Sequence, residues 1–183
     1  MRTLIGAVGY RNLRDHSAPF AVIDRLSLDD LGPEVVVEDT SYNPIAIVQW
    51  LEGEPADARF DQVILVSALE RGRCAGALTA YRWDGILPSD ELVQQSVTEA
   101  VTGIIALHNT VVIAGYFKVL PETVVILEIE PVDHAFGPEM SPAVSAAIGP
   151  ACAVIRRLTL ERGAIAALPP GPLPERPLLR AGW

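Results

Sequence analysis

Thr3-Leu4-Ile5-Gly6-Ala7-Val8-Gly9 is the stretch from which the rest of the chain is read. Its residues are apolar, small or β-branched, with almost no polar alternation, the pattern of a strand covered on both faces by helices in a parallel sheet. A polar segment, Tyr10 to Ser17 (YRNLRDHS), carries it into an amphipathic stretch that starts at Ala18-Pro19. Ser17 is placed as an N-cap and Pro19 in a first helical turn, where proline is tolerated. The reading is strand, loop, helix, with the loop at the carboxyl end of a central strand. Ligands of open α/β sheets bind along that edge, so Asp15 and His16 stand where chemistry would be done.

Working outward, Phe20 to Leu31 predicts a helix with Val22, Ile23, Leu26 and Leu28 on one face, stopped by Gly32-Pro33. Glu34 to Glu38 is a short buried strand that leaves through Asp39 to Asn43, and Pro44 opens the next helix. Gln62 to Val66 is a third buried strand, ended by Ser67. The charged turn Glu70 to Gly76 is too short for a parallel crossover, which takes about a dozen residues. Ala77 to Trp83 is therefore expected as a half-exposed antiparallel edge strand. Helices follow from Pro88-Ser89-Asp90-Glu91 and from Thr110 to Val119; Thr123 to Ile129 is the last buried strand. Ser141-Pro142 starts a long helix through Leu160, with a kink expected at Pro150. The fold class is α/β: a three-layer sandwich with a mostly parallel twisted sheet, one antiparallel edge strand, and helices on both faces. Residues 1–162 form that domain, and the Pro-rich residues 163–183 are expected to be an extended or disordered tail.

Composition narrows the function classes. Half of the 183 residues are hydrophobic, enough for one real core. The 14 basic and 23 acidic residues give a formal charge of −9, and Lys118 is the only lysine, which argues against a nucleic-acid partner. Cys74 and Cys152 form no C-x-x-C pair and no metal-type spacing, so a reduced compartment fits. The N-terminal apolar run is too short for a membrane span or an ordinary signal segment. The expectation is a cytoplasmic protein with no membrane partner.

All three histidines fall on the predicted carboxyl edge: His16 after the first strand, His108 at a helix start, His134 after the last strand. Asp15, Asp39 and Glu70 approach it too. Imidazoles with a carboxylate could hold a transition metal and leave a position open for water or substrate. Loops make up that whole edge, however, and histidines land on such loops without binding anything. Ser67 is read as a nucleophile or as a polar strand terminus, and no G-x-S-x-G elbow surrounds it. Gly6-Ala7-Val8-Gly9 lacks the third glycine of a dinucleotide fingerprint. Asp39 also reads as an Asx-turn residue, and Cys74 as incidental.

Taken in order, these pieces resemble the hydrogenase maturation proteases, the endopeptidases that trim the C-terminus of nickel-iron hydrogenase large subunits once nickel is in place. The resemblance runs from Met1 to about Leu160. Its anchors are Val8-Gly9 followed by Asp15, Asp39 after the second strand, His108, and Ile129-Glu130-Pro131 through Gly137-Pro138-Glu139-Met140-Ser141-Pro142. It implies a metal-linked endopeptidase whose partner is the large-subunit precursor. The metal would be a divalent transition ion, either nickel carried by the substrate protein or zinc. The family's ligand positions fall on His16, Ser67 and His108, of which only the last is the family's own residue; Asp15 and Asp39 would be supporting residues. Further departures are Tyr10 in place of the family's loop asparagine, Asp39-Thr40-Ser41-Tyr42 in place of Asp-Gly-Gly-Thr, and a longer helical insertion around residues 91–107. A hydroxyl at Ser67 removes a negative charge that would help hold a dication. The alternative is therefore an inactive relative that binds or chaperones the immature large subunit without cleaving it. A third reading is a small-molecule enzyme on a similar scaffold.

Overall fold

The computed structural model describes residues 1–161 and 163–173. Its strands are β1 (Thr3–Val8), β2 (Val35–Asp39), β3 (Gln62–Ala68), β4 (Leu78–Trp83), β5 (Thr123–Ile129) and β6 (Pro170–Gly171). They form one sheet in the order β2-β1-β3-β5-β4-β6. The pairs β1/β2, β1/β3 and β3/β5 are parallel, and β4 runs antiparallel to β5. The short turn before Leu78 thus produced the expected reversal. β4 is not the outermost strand, because Pro170 and Gly171 pair with Arg82 and Trp83 beyond it. Part of the expected tail therefore runs extended along the sheet, whereas residues 174–183 of it lie outside the described residues.

The helices are α1 (Ala18–Leu26), α2 (Pro44–Gly53), α3 (Asp90–Val101), α4 (Leu107–Tyr116) and α5 (Pro142–Leu160). Alternation along the strands sorts two cores. Ile5, Ala7, Ile64, Val66, Val125, Leu127 and Ile129 point toward α1 and α5, which supply Phe20, Val22, Ile23, Leu26, Ala151 and Ile155. Leu4, Val8, Val63, Leu65, Val124 and Ile126 point the other way, onto Ile47 and Leu51 of α2 and Leu107 and Val111 of α4. β1, β3 and β5 are covered on both faces, as their unbroken apolar runs require. β2 lies at the sheet edge and is only half-buried, not buried as its valines suggested.

Among the described helices, α5 alone is long and apolar enough to cross a bilayer. Its apolar stripe, Val144, Ala147, Ile148, Ala151, Cys152, Ile155 and Leu158, is the one that packs into the core. α1 ends at Leu26 rather than Leu31, which leaves Leu28 87% exposed instead of on the buried face. Gly6 is required by a close approach: a Cβ there would lie 2.6 Å from Thr40 Oγ1 and 2.9 Å from Leu65 Cδ2. Thr40 sits tight against β1 because its hydroxyl donates to the Ala7 carbonyl at 2.9 Å.

Candidate functional site

The strand order reverses between β1 and β3, so the loops leaving β1, β3 and β5 crowd together at one rim. Open α/β sheets bind ligands at such a switch point. Three histidine and carboxylate side chains meet there. His16 lies in the tight helical turn Arg14–Ser17 after β1, Glu70 in the loop after β3, and His134 in the loop after β5. His134 Nδ1 is 3.3 Å from Glu70 Oε1, and His16 Nε2 is 3.9 Å from the same oxygen. The two imidazoles meet edge to face with centroids 6.2 Å apart. Burial pushes the His16 pKa down and the neighbouring His134 adds to this, against the opposing pull of Glu70 and Asp15. At neutral pH the neutral ring, with a free nitrogen lone pair, is therefore favoured.

Asp15 ties two of these loops together. Its carboxylate is fully buried, and its Oδ2 accepts from the Val132 N–H at 3.0 Å, the Asp133 N–H at 2.9 Å and the Ser141 hydroxyl at 2.9 Å. Its Oδ1 accepts from the Ser141 N–H at 2.6 Å. Burial works against the charge, but these bonds outweigh it and hold the pKa below the usual carboxylate range. The Asp15 N–H in turn donates to the Asp133 carbonyl at 3.1 Å, and Arg14 pairs with Asp133 at 2.6 Å. Asn12 and Arg14 adopt left-handed backbone, with φ of 63° and 40°, inside a segment bonded to Gly137 in both directions. The histidines therefore sit on a cross-linked pair of loops, each next in sequence to a residue of the clamp.

The third loop is held by a buried ionic network. Glu128, in β5, takes Arg71 at 2.8 Å, Arg73 at 2.5 Å and the Tyr81 hydroxyl at 3.1 Å. Glu130 accepts from the Arg71 N–H at 2.8 Å, the Gly72 N–H at 2.9 Å and Arg73 Nε at 3.1 Å. Both carboxylates are 3% exposed. Burial opposes ionisation of Glu128, and the two guanidiniums and the Tyr81 hydroxyl overcome it, so its pKa lies below the ordinary value. Burial and the adjacent Glu128 push the Tyr81 phenol upward. Glu70 follows Leu69, whose N–H donates to the Ile129 carbonyl at 3.1 Å, and precedes Arg71. Its backbone is thus fixed on both sides while its side chain stays exposed.

The remaining candidates have other occupations. Ser67 is buried, and its hydroxyl donates to the Val8 carbonyl at 2.9 Å, the bond of a polar strand terminus. Asp39 makes an Asx turn, accepting the Ser41 N–H at 3.0 Å and the Ser41 hydroxyl, and pairs with Arg11 at 3.3 Å. Asp15 braces loops through its own bonds and does not face an open site. His108 is half-buried near the start of α4, the helix on the opposite face of the sheet from α1. That helix start is tied to the rim where the Ile105 N–H donates to Tyr10 Oη at 2.7 Å. His16 groups with Glu70 and His134, one ligand atom from each lying within 4.8 Å of the others. Sequence reasoning missed the Glu128–Glu130 network, although two glutamates flanking Ile129 in an otherwise apolar strand signal buried charges that need cationic partners.

The fold and rim define a three-layer α/β protein with a histidine-carboxylate cluster at the switch point of its sheet. Neither a protein-family model nor a curated protein matches the sequence. Solved structures share its architecture. A [NiFe] hydrogenase maturation protease HycI from Thermococcus kodakarensis superposes with a TM-score of 0.64 at 19% identity, over 86% of this chain and 92% of that one. The hydrogenase maturating endopeptidase HybD from E. coli gives 0.62 at 18%, covering 85% and 90%. A hydrogenase 2 maturation peptidase from a Thaumarchaeota archaeon gives 0.61 at 22%, covering 86% and 97%. At these identities the likeness shows a common fold.

Proposed function

We propose that this chain is a nickel-iron hydrogenase maturation factor of the C-terminal-processing endopeptidase type, which engages the metal-loaded large-subunit precursor at the rim formed by the loops after β1, β3 and β5. The observation that carries the reading is the shared architecture with several hydrogenase maturation peptidases over nearly their whole length, together with histidines on the rim where such a fold binds its ligands. In this reading nickel is cargo on the substrate, and His16 and His108 are the side chains presented to it. A divalent ion bound here would supply Lewis acidity and an activated water. The chain's own contribution is positioning, through the Asp15 clamp and the Arg71/Arg73 network.

A second reading, that the chain holds the precursor without cutting it, is favoured by one observation. By the family resemblance Ser67 falls at the position of a ligating carboxylate, and in the structure its hydroxyl donates to the Val8 carbonyl. A neutral, already bonded hydroxyl adds no charge to attract a dication. Incubating the purified chain with a nickel-loaded large-subunit precursor, followed by intact-mass measurement and gel filtration, tests both. Loss of one C-terminal peptide establishes the peptidase, and a stable complex of unchanged mass establishes the holder. With neither outcome, the maturation reading falls.

A further inference from the structure

We propose that His16, Glu70 and His134 form a divalent transition-metal site of this chain itself, two imidazole nitrogens and one carboxylate oxygen with room for exogenous ligands. The proposal goes beyond the maturation reading, because it requires no precursor and because Glu70 and His134 are not positions at which the family resemblance places ligands.

Geometry comes first. Ligand atoms about 2.0–2.2 Å from a tetrahedral ion lie roughly 3.3–3.6 Å from one another. The His134 Nδ1 to Glu70 Oε1 separation is already 3.3 Å, the His16 Nε2 to Glu70 Oε1 separation is 3.9 Å, and all three donors fall within 4.8 Å of each other. Small side-chain rotations close such a set, and the exposure of Glu70 and His134 leaves those rotations free. Among the described residues this is the one group of three or more His, Cys, Asp or Glu side chains with donors so close.

The supporting structure is a second, independent observation. Each proposed ligand is adjacent in sequence to a residue fixed by buried charge-assisted bonds: His16 to Asp15, His134 to Asp133, and Glu70 to Arg71. These bonds join loops from three different strands, and Asp15, Glu128 and Glu130 are all but inaccessible to water. Rigid backbone beneath mobile donor tips is what metal sites need for affinity without a pre-strained ligand set. The chemistry of the set is equally specific. Two imidazoles and one carboxylate suit zinc, nickel or cobalt rather than calcium or magnesium, which prefer oxygen donors. One carboxylate against a dication leaves a net positive centre, able to attract a lone-pair or anionic donor from a partner molecule.

Equilibrium dialysis of the full chain against zinc, read by elemental analysis, tests the site, with cobalt as a spectroscopic probe. One equivalent should bind, and the cobalt-loaded chain should show visible ligand-field absorption. Glu70→Gln and His134→Ala should each weaken binding by more than the ~10–100-fold that loss of an outer-shell partner costs, with far-ultraviolet circular dichroism unchanged because both side chains are exposed. His108→Ala should leave the affinity within about 2-fold, since it lies outside the cluster. The proposal is overturned if no saturable binding occurs at micromolar zinc, if binding survives both Glu70→Gln and His134→Ala, or if His108→Ala abolishes it while Glu70→Gln does not. None of these results bears on whether the large-subunit precursor is bound, which mass and gel filtration decide separately.

Discussion

Replacing Asp15 with asparagine should be among the most damaging isosteric changes available to this chain. The carboxylate accepts three hydrogen bonds on Oδ2 and one on Oδ1. An asparagine that keeps its oxygen toward Val132, Asp133 and the Ser141 hydroxyl turns its NH2 toward the Ser141 N–H, donor against donor. That forfeits one bond to a charged acceptor, about 1.5–3 kcal/mol. The other three become neutral bonds of roughly half the strength, another ~1–3 kcal/mol together. The sum is about 4 kcal/mol, and at ~2–4 °C per kcal/mol for a chain of this size Tm should fall by about 8–16 °C at neutral pH. Proton linkage adds a second signature. The folded-state pKa of Asp15 lies below its unfolded value. Its contribution is therefore complete above the unfolded value of about 4 and is lost as pH falls through the lower folded value. The gap in Tm between wild type and Asp15→Asn should thus be constant from neutral pH to about pH 5 and narrow in stronger acid. Thermal melts followed by circular dichroism across that range decide the matter. A fall smaller than ~2 °C at neutral pH, or a gap that does not change in acid, would refute the clamp.

Other perturbations probe separate parts of the structure. Gly6→Ala drives a methyl against Thr40 Oγ1 and Leu65 Cδ2 at 2.6 and 2.9 Å, so urea unfolding should show a loss of about 1–3 kcal/mol, partly recovered in Gly6→Ala/Thr40→Ser, which removes the adjacent Thr40 methyl. Arg73→Met leaves Glu128 and Glu130 with one guanidinium between them, and denaturant titration should register a loss of about 3–5 kcal/mol. Because Glu128 is held below its ordinary pKa, its stabilising pairing is present above the unfolded value of about 4.3 and fades as pH falls below it, so the Arg73→Met deficit should shrink in acid. Asn43→Ala removes the side-chain oxygen that accepts the Ile45 N–H at 2.9 Å, and the lost α2 cap should lower stability by about 1 kcal/mol in the same assay.

The sheet was legible because its central strands carry a pattern that only one environment satisfies. TLIGAV, QVILV and TVVILEI have no polar face, so each had to lie between two layers, and the short turn before Leu78 forced the one reversal. α5 announced itself at Ser141-Pro142, where the serine does cap, accepting from the Val144 N–H at 3.5 Å. The errors lie where local signals compete. Residues 27–31 continue an apolar pattern, yet the helix ends at Leu26, and hydrogen bonds from Ser27 and Leu28 N–H close its last turn. α4 starts at Leu107 rather than Thr110, since Thr102-Gly103, with Gly103 at φ 87°, ends α3 early. The rim was legible as a place and not as a set of partners. Which histidine meets which carboxylate depends on bonds such as Asp15 to Val132, made between residues far apart in sequence, and no spacing rule encodes them. A bracing aspartate and a reactive one look alike in sequence; burial and four donors tell them apart.

That distinction bears on whether this rim cuts or holds. Peptide hydrolysis by an activated water is normally served by a group near the reacting atoms that can take a proton, and a carboxylate is the usual choice beside a metal. Five carboxylates of the rim are engaged. Asp15 is saturated by backbone and serine donors, Asp39 by Ser41 and Arg11, Asp133 by Arg14 and the Ala135 N–H, and Glu128 and Glu130 by two arginines. Glu70 faces imidazoles. If Glu70 ligates an ion, it cannot also act as base; if it acts as base, the cluster loses its only anionic ligand and His16 and His134 hold a dication weakly. Metal binding and proton transfer compete for one side chain. Within the proposed maturation reading, that competition and the uncharged Ser67 weigh toward holding the precursor over cleaving it. A Ser67→Asp variant that gained C-terminal cleavage of the precursor would show that this one charge separates the two functions.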